Sequence, residues 1–124
     1  MSDIETSAST AAETAREALQ GILDRMGIEC TVSAHVDGEG QITLDVSSDS
    51  DLGTVIGRDG DTLNALQLLV SVIVSRRHGP HSRVVVDAEN YRARRAESLQ
   101  ARAIELAQRV KATGREALDR KSVV

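Results

Sequence analysis

Apolar residues recur at spacings of three and four through Ala15, Ala18, Leu19, Ile22, Leu23 and Met26, the period of one face of a helix. Thr10 and Glu13 stand at the capping-box separation ahead of this stripe and Gly27 stands behind it, so the pattern predicts an amphipathic helix from Thr10 to that glycine. The period then drops to two. Ile28, Cys30, Val32, Ala34 and Val36 alternate with polar residues, Asp37-Gly38-Glu39-Gly40 interrupts, and Ile42, Leu44 and Val46 resume the alternation. That is a β-hairpin with one buried face.

Further on, Ser47 to Asp51 offer helix caps, and Leu52, Val55 and Ile56 make the apolar side of a short helix. After Gly57 to Gly60, the stripe Leu63, Leu66, Leu69, Val70, Ile73 and Val74 predicts a longer helix, stopped by Arg76-Arg77-His78 and Gly79-Pro80. The continuous run Val84-Val85-Val86 reads as a strand buried on both faces or nearly so. Asn90 is placed to cap a last helix reaching about Thr113. Leu99, Ala103, Leu106 and Val110 are expected inward, with Arg92, Arg94, Arg95, Arg102, Arg109 and Lys111 outward. The order helix, strand, strand, short helix, helix, strand predicts an α+β fold. A hairpin pairs antiparallel and a right-handed crossover returns a strand parallel, giving a mixed three-stranded sheet covered by helices on one face.

Met1 to Ala8 are small, polar and acidic, and predict a disordered lead. The expected organisation is therefore a lead over 1–9, a domain over 10–88, and a C-terminal helix and tail over 89–124.

Composition narrows the class. The 124 residues fit one domain, and with no Phe or Trp and only Tyr91 among aromatics, the core must be aliphatic. No apolar run reaches the length of a membrane span and the N-terminus has no signal-peptide pattern, so a soluble, cytoplasmic protein is expected. Cys30 is the only cysteine, which excludes an internal disulfide and a cysteine zinc site. The net charge of −4 is unevenly distributed. Residues 1–56 carry 11 acidic and 2 basic side chains, whereas residues 57–124 carry 13 basic and 8 acidic ones, so a local basic face is compatible with an acidic whole.

The candidate chemistry lies in Ile56-Gly57-Arg58-Asp59-Gly60. Two glycines three apart remove the Cβ atoms that would hold a ligand off the backbone, and the helix that follows turns its unpaired first N–H groups and positive dipole end toward the same spot. Such a corner suits a sugar-phosphate chain. Arg58, between the glycines, can grip a phosphate with two parallel N–H bonds. His35, His78 and His81 have no carboxylate, Ser or Cys partner at a catalytic spacing. Asp49, Asp51, Asp59 and Asp61 match neither a calcium loop nor a two-metal set, and no nucleotide-phosphate loop or dinucleotide fingerprint is present. The sequence therefore points away from an enzyme, a metal site or a bound cofactor.

The same order of elements, with Val55-Ile56-Gly57-Arg58-Asp59-Gly60 between two helices, resembles the type II KH domain, a fold that binds single-stranded RNA or DNA. Two blocks, Val55 to Gln67 and Val84 to Arg95, are similar to the bacterial Jag family, also called KhpB or SpoIIIJ-associated RNA-binding protein. The resemblance implies a non-catalytic RNA-binding module in post-transcriptional regulation that pairs with a small KH companion protein, KhpA, or with itself. It further implies a groove beside the Gly57, Arg58, Asp59, Gly60 clamp, for which Leu52, Val55, Ile56 and Leu63, with Val85, are candidates, although each serves equally as core. Members usually continue beyond the helix that here carries Thr113-Gly114-Arg115 into a domain named for an Arg-x-x-x-His motif. This sequence stops at Val124, so that second unit is expected to be missing. Arg77 and His81 match the spacing only by coincidence, across a Gly-Pro turn. Asp59 occupies a position that is often basic in KH loops, and a carboxylate beside phosphates costs affinity. The rival expectation is a protein-interaction module whose KH surface or final helix docks another chain.

Overall fold

The computed structural model describes residues 3–80 and 82–122, and it divides after Tyr91 into two units. In the first unit α1 (Asp3–Arg25) leads into β1 (Thr31–Val36) and β2 (Ile42–Ser47), followed by α2 (Gly53–Ile56), a single 3-10 turn (Arg58–Gly60), α3 (Asp61–His78) and β3 (Val84–Ala88). The second unit is carried by α4 (Tyr91–Ser122), whose first residue belongs to the first unit. This is an α+β fold with the element order of a type II KH domain and a C-terminal helix.

The sheet runs β1-β2-β3, with β1 antiparallel and β3 parallel to the central β2. Ala34 sits opposite Leu44 and Leu44 beside Val86, so the alternating apolar positions of all three strands fall on one face. The helices α1 and α3 pack on that face and against each other. Ala15, Leu19 and Leu23 from α1 meet Leu63, Leu66, Val70 and Val74 from α3 over Ile42, Leu44, Val46 and Val86. Each fully buried Leu or Val contributes about 1.5–3 kcal/mol of burial, which lets an aliphatic core replace the missing aromatics. Among the described residues no polar or charged side chain is buried.

Several expectations are corrected. The first helix starts at Asp3, ahead of Thr10, so Thr10 lies inside it and is not its cap. Nothing in that stretch stops a helix: it contains neither Gly nor Pro, and Ala8 and Ala11 favour one. The far end is as expected, with Gly27 at φ 77° and the Ile28 N–H donating to the Leu23 carbonyl at 3.1 Å in a Schellman-type ending. That ending uses Ile28, so β1 begins only at Thr31. The third strand alternates rather than being buried on both sides: Val84, Val86 and Ala88 face the core, while Val85 and Asp87 are half-buried. Leu69 is exposed, because α3 is apolar around most of its circumference and only one side meets the core. Likewise Leu99, Leu106 and Val110 are exposed instead of inward, and α4 runs through Gly114 to Ser122. His81 lies outside the described residues.

Both outer strands meet a glutamine. Gln20 of α1 donates to the Cys30 carbonyl and accepts from the Val32 N–H, each at 3.1 Å. Gln67 of α3 accepts from the Val86 N–H of β3 at 2.9 Å.

Candidate nucleic-acid interface

The loop is anchored before it begins. Asp51 Oδ1 accepts the Gly53 N–H at 2.9 Å, and the Leu52 carbonyl accepts from Val55 and Ile56, each at 3.0 Å, closing the one turn of α2. Leu52 and Val55 are fully buried, as is Leu63 on the first turn of α3. These three, expected as groove candidates, lie in the core: short apolar side chains flanking a tight corner are drawn under it. Ile56 is half-buried at the loop mouth. Val85, also a groove candidate, is half-buried on the sheet face away from α1 and α3.

Between these anchors the backbone takes conformations that side chains resist. Gly57 has φ 73° and ψ −176°, a region essentially reserved for glycine. Asp59 (φ 56°, ψ 23°) and Gly60 (φ 83°, ψ 11°) are left-handed. Aspartate is among the few non-glycine residues that tolerate this conformation, which gives a backbone reason for its place in a loop where a cation would serve phosphate better. Arg58 and Asp59 are exposed, Gly60 is buried, and the N-cap residue of α3 is Gly60, which makes no side-chain cap hydrogen bond. The N-terminal dipole end of this 18-residue helix favours negative charge at the corner, next in sequence to Arg58.

The glycines also have a role that spacing alone does not reveal. A Cβ on Gly57 would run into the Thr62 side chain and stand 2.8 Å from its backbone nitrogen. One on Gly60 would stand 2.9 Å from Cε1 of Tyr91. Both glycines are thus required by the protein's own packing. Thr62 and Tyr91 were missed as supports of the loop. The available signal was that the only aromatic in the chain closely follows the third strand, a position from which it returns to the corner.

Other candidates do not assemble. His35 pairs with Asp45 across the hairpin at 3.7 Å, and His78 Nε2 shares a 2.9 Å hydrogen bond with Thr14 Oγ1 between α3 and α1. Among the described residues no His, Cys, Asp and Glu group has the geometry of a metal site. Burial pushes the Cys30 thiol up from its usual range, which disfavours the thiolate. No described helix is long and apolar enough to cross a membrane.

The family model for the KH domain of KhpA and KhpB matches residues 12–87. The chain is 36% identical over 107 residues to the RNA-binding protein KhpB of Clostridium symbiosum, covering 86% of this chain and 48% of that protein. It is 41% identical over 80 residues to KhpB of Bacillus subtilis, covering 64% of this chain and 33% of the relative. Against KhpB of Lactiplantibacillus plantarum it is 38% identical over 107 residues, 84% of this chain and 33% of the relative. The chain spans less than half the length of each of these relatives.

Proposed function

The chain belongs to the KhpA/KhpB KH-domain family, and on that premise we propose that it is a non-catalytic single-stranded RNA-binding protein of the cytoplasm that acts in post-transcriptional regulation. The observation that carries this reading is the corner itself: Gly57 and Gly60 in glycine-favoured conformations, an exposed Arg58, and the start of α3 without a side-chain cap. Ile56, Gly57, Arg58, Asp59 and Gly60 meet the sugar-phosphate backbone, while Leu52, Val55 and Leu63 hold the corner from beneath. That the relatives are named RNA-binding proteins supports RNA as the ligand. A small KH companion protein of the KhpA type, or a second copy of the chain, is the partner this family reading supplies.

Fluorescence anisotropy with short single-stranded RNA pools at low salt tests the proposal. Arg58→Asp removes the phosphate grip and adds a carboxylate beside Asp59, so binding weakens by about 1–3 kcal/mol. Asp59→Asn removes the charge while keeping a residue that tolerates left-handed backbone, and tightens binding. The wild-type affinity falls with salt along a shallow slope, because few phosphates are neutralised. If neither wild type nor variants bind, or all bind alike, the corner is only a turn and the protein-interaction reading replaces this one.

A further inference from the structure

Tyr91 is the only aromatic residue of the chain, and it stands at the glycine corner. It gets there through a sharp reversal. Glu89 and Asn90, directly after β3, both take left-handed backbone, with φ 53° and 55°. Asparagine tolerates that conformation but glutamate resists it, and such strain persists only where the surroundings fix the turn. The reversal lays the Tyr91 ring on Gly60: a Cβ built there would stand 2.9 Å from Cε1, 3.6 Å from Cζ and 3.5 Å from the hydroxyl oxygen. The edge of the ring that carries the hydroxyl is therefore the edge against the corner. With half-buried Ile56 packed on the same core just before Gly57, the two glycines are bracketed by one aliphatic and one aromatic side chain.

Packing explains the ring and leaves the hydroxyl over. The ring is half-buried against an aliphatic core, a place that phenylalanine would fill as well. Among the described residues the Tyr91 hydroxyl engages in no hydrogen bond, and no half-buried side chain there hides an unpaired oxygen, so this one meets solvent. A phenol on a ring held by packing is aimed before any ligand arrives, and it loses little entropy on bonding. What lies beside the corner decides the acceptor. A strand seated on Gly57 to Gly60 brings phosphate oxygens, which accept and do not donate, within reach of that one proton. We propose that the Tyr91 hydroxyl donates to a phosphate of the single strand at the corner, a second grip beside Arg58 that carries no charge. The inference rests on the RNA-binding reading above. Since phosphates are common to every sequence, this contact adds affinity without choosing bases.

Tyr91→Phe tests it in the full chain, because it keeps the ring on Gly60 and removes only the proton donor. Fluorescence anisotropy with short single-stranded RNA at low salt is expected to show binding weakened by about 10-fold, the loss of one hydrogen bond to a charged acceptor, and by the same factor for RNAs of different sequence. Chemical denaturation of the variant is expected to match wild type. The dependence of affinity on salt keeps its slope in Tyr91→Phe, since a neutral donor releases no counterion, whereas Arg58→Ala makes it shallower. Biosynthetic fluorotyrosine supplies one label, and its single fluorine NMR resonance shifts as RNA saturates the protein. RNA that binds wild type and Tyr91→Phe alike overturns the proposal and leaves the RNA-binding reading standing, as does a fluorine resonance that stays still at saturation. A Tyr91→Phe variant with lowered stability or an altered salt slope makes Tyr91 a support of the corner alone, and a loss confined to particular sequences assigns the hydroxyl to a base; either overturns the phosphate contact. Absence of any RNA binding by the wild type overturns both readings.

Discussion

Two corners of the first unit turn the chain through a left-handed glycine, and they do so under different constraints. In the hairpin, Gly40 has φ 85°, and Asp37 organises the turn by accepting the Glu39 and Gln41 N–H groups at 2.9 Å. An added Cβ at Gly38 or Gly40 would meet nothing within 4 Å. At the Gly57–Gly60 corner the backbone is equally unusual, but the space is also occupied, by Thr62 against one glycine and Tyr91 against the other. A turn that only reverses a chain can stand in open solvent. A turn that presents N–H groups to a ligand must be held in one shape, and packing around it supplies that rigidity.

A graded series of alanine substitutions, read by chemical denaturation, would break or sharpen this contrast. Gly57→Ala combines a glycine-only conformation with a backbone clash and is expected to cost about 3 kcal/mol. Gly60→Ala is expected to cost about 2 kcal/mol, part from left-handed strain and part from displacing the Tyr91 ring. In a Tyr91→Ala background its cost falls toward about 1 kcal/mol, a coupling that a double-mutant cycle isolates. Gly40→Ala meets strain without a clash and costs about 1 kcal/mol, and Gly38→Ala stays within about 0.5 kcal/mol. Equal costs at Gly57 and Gly40 would show that conformation alone, not packing, holds the Gly57–Gly60 corner. Additive effects of Gly60→Ala and Tyr91→Ala would remove Tyr91 from its supporting role.

Periodicity made the order of elements in the first unit legible because the strands and α1 each bury one apolar face. The hairpin alternation, the glycine corner and the end of α1 at Gly27 all follow from local chemistry. Periodicity could not choose a side of α3, where Leu66, Leu68, Leu69, Val70 and Val72 leave nearly every direction apolar, and Leu69 was therefore assigned to the core. Nor could it separate a groove floor from a core beneath it: Leu52, Val55 and Leu63 satisfy both patterns, and only the packing of α2 under the corner decides. The stripe of α4 misled for a related reason, since an amphipathic period announces an apolar side without supplying what covers it. Tyr91 could be marked by its place as the only aromatic, just after the third strand, but its contact with Gly60 could not, because it joins distant parts of the chain.

The paired glutamines have a consequence for how this protein meets others. A three-stranded sheet has two open borders, each a row of donors and acceptors on which a strand of another molecule can be added. Here Gln20 occupies the Cys30 carbonyl and Val32 amide on one border. On the other, the Val86 amide is held by Gln67 and the Ala88 amide by the Asp87 carboxylate, each at 2.9 Å. Side-chain amides from α1 and α3, with the Asp87 carboxylate of the strand itself, thus take some of the hydrogen bonds that an incoming strand would use. Each occupied group is one hydrogen bond fewer for a strand added at that border, which disfavours edge-to-edge pairing there.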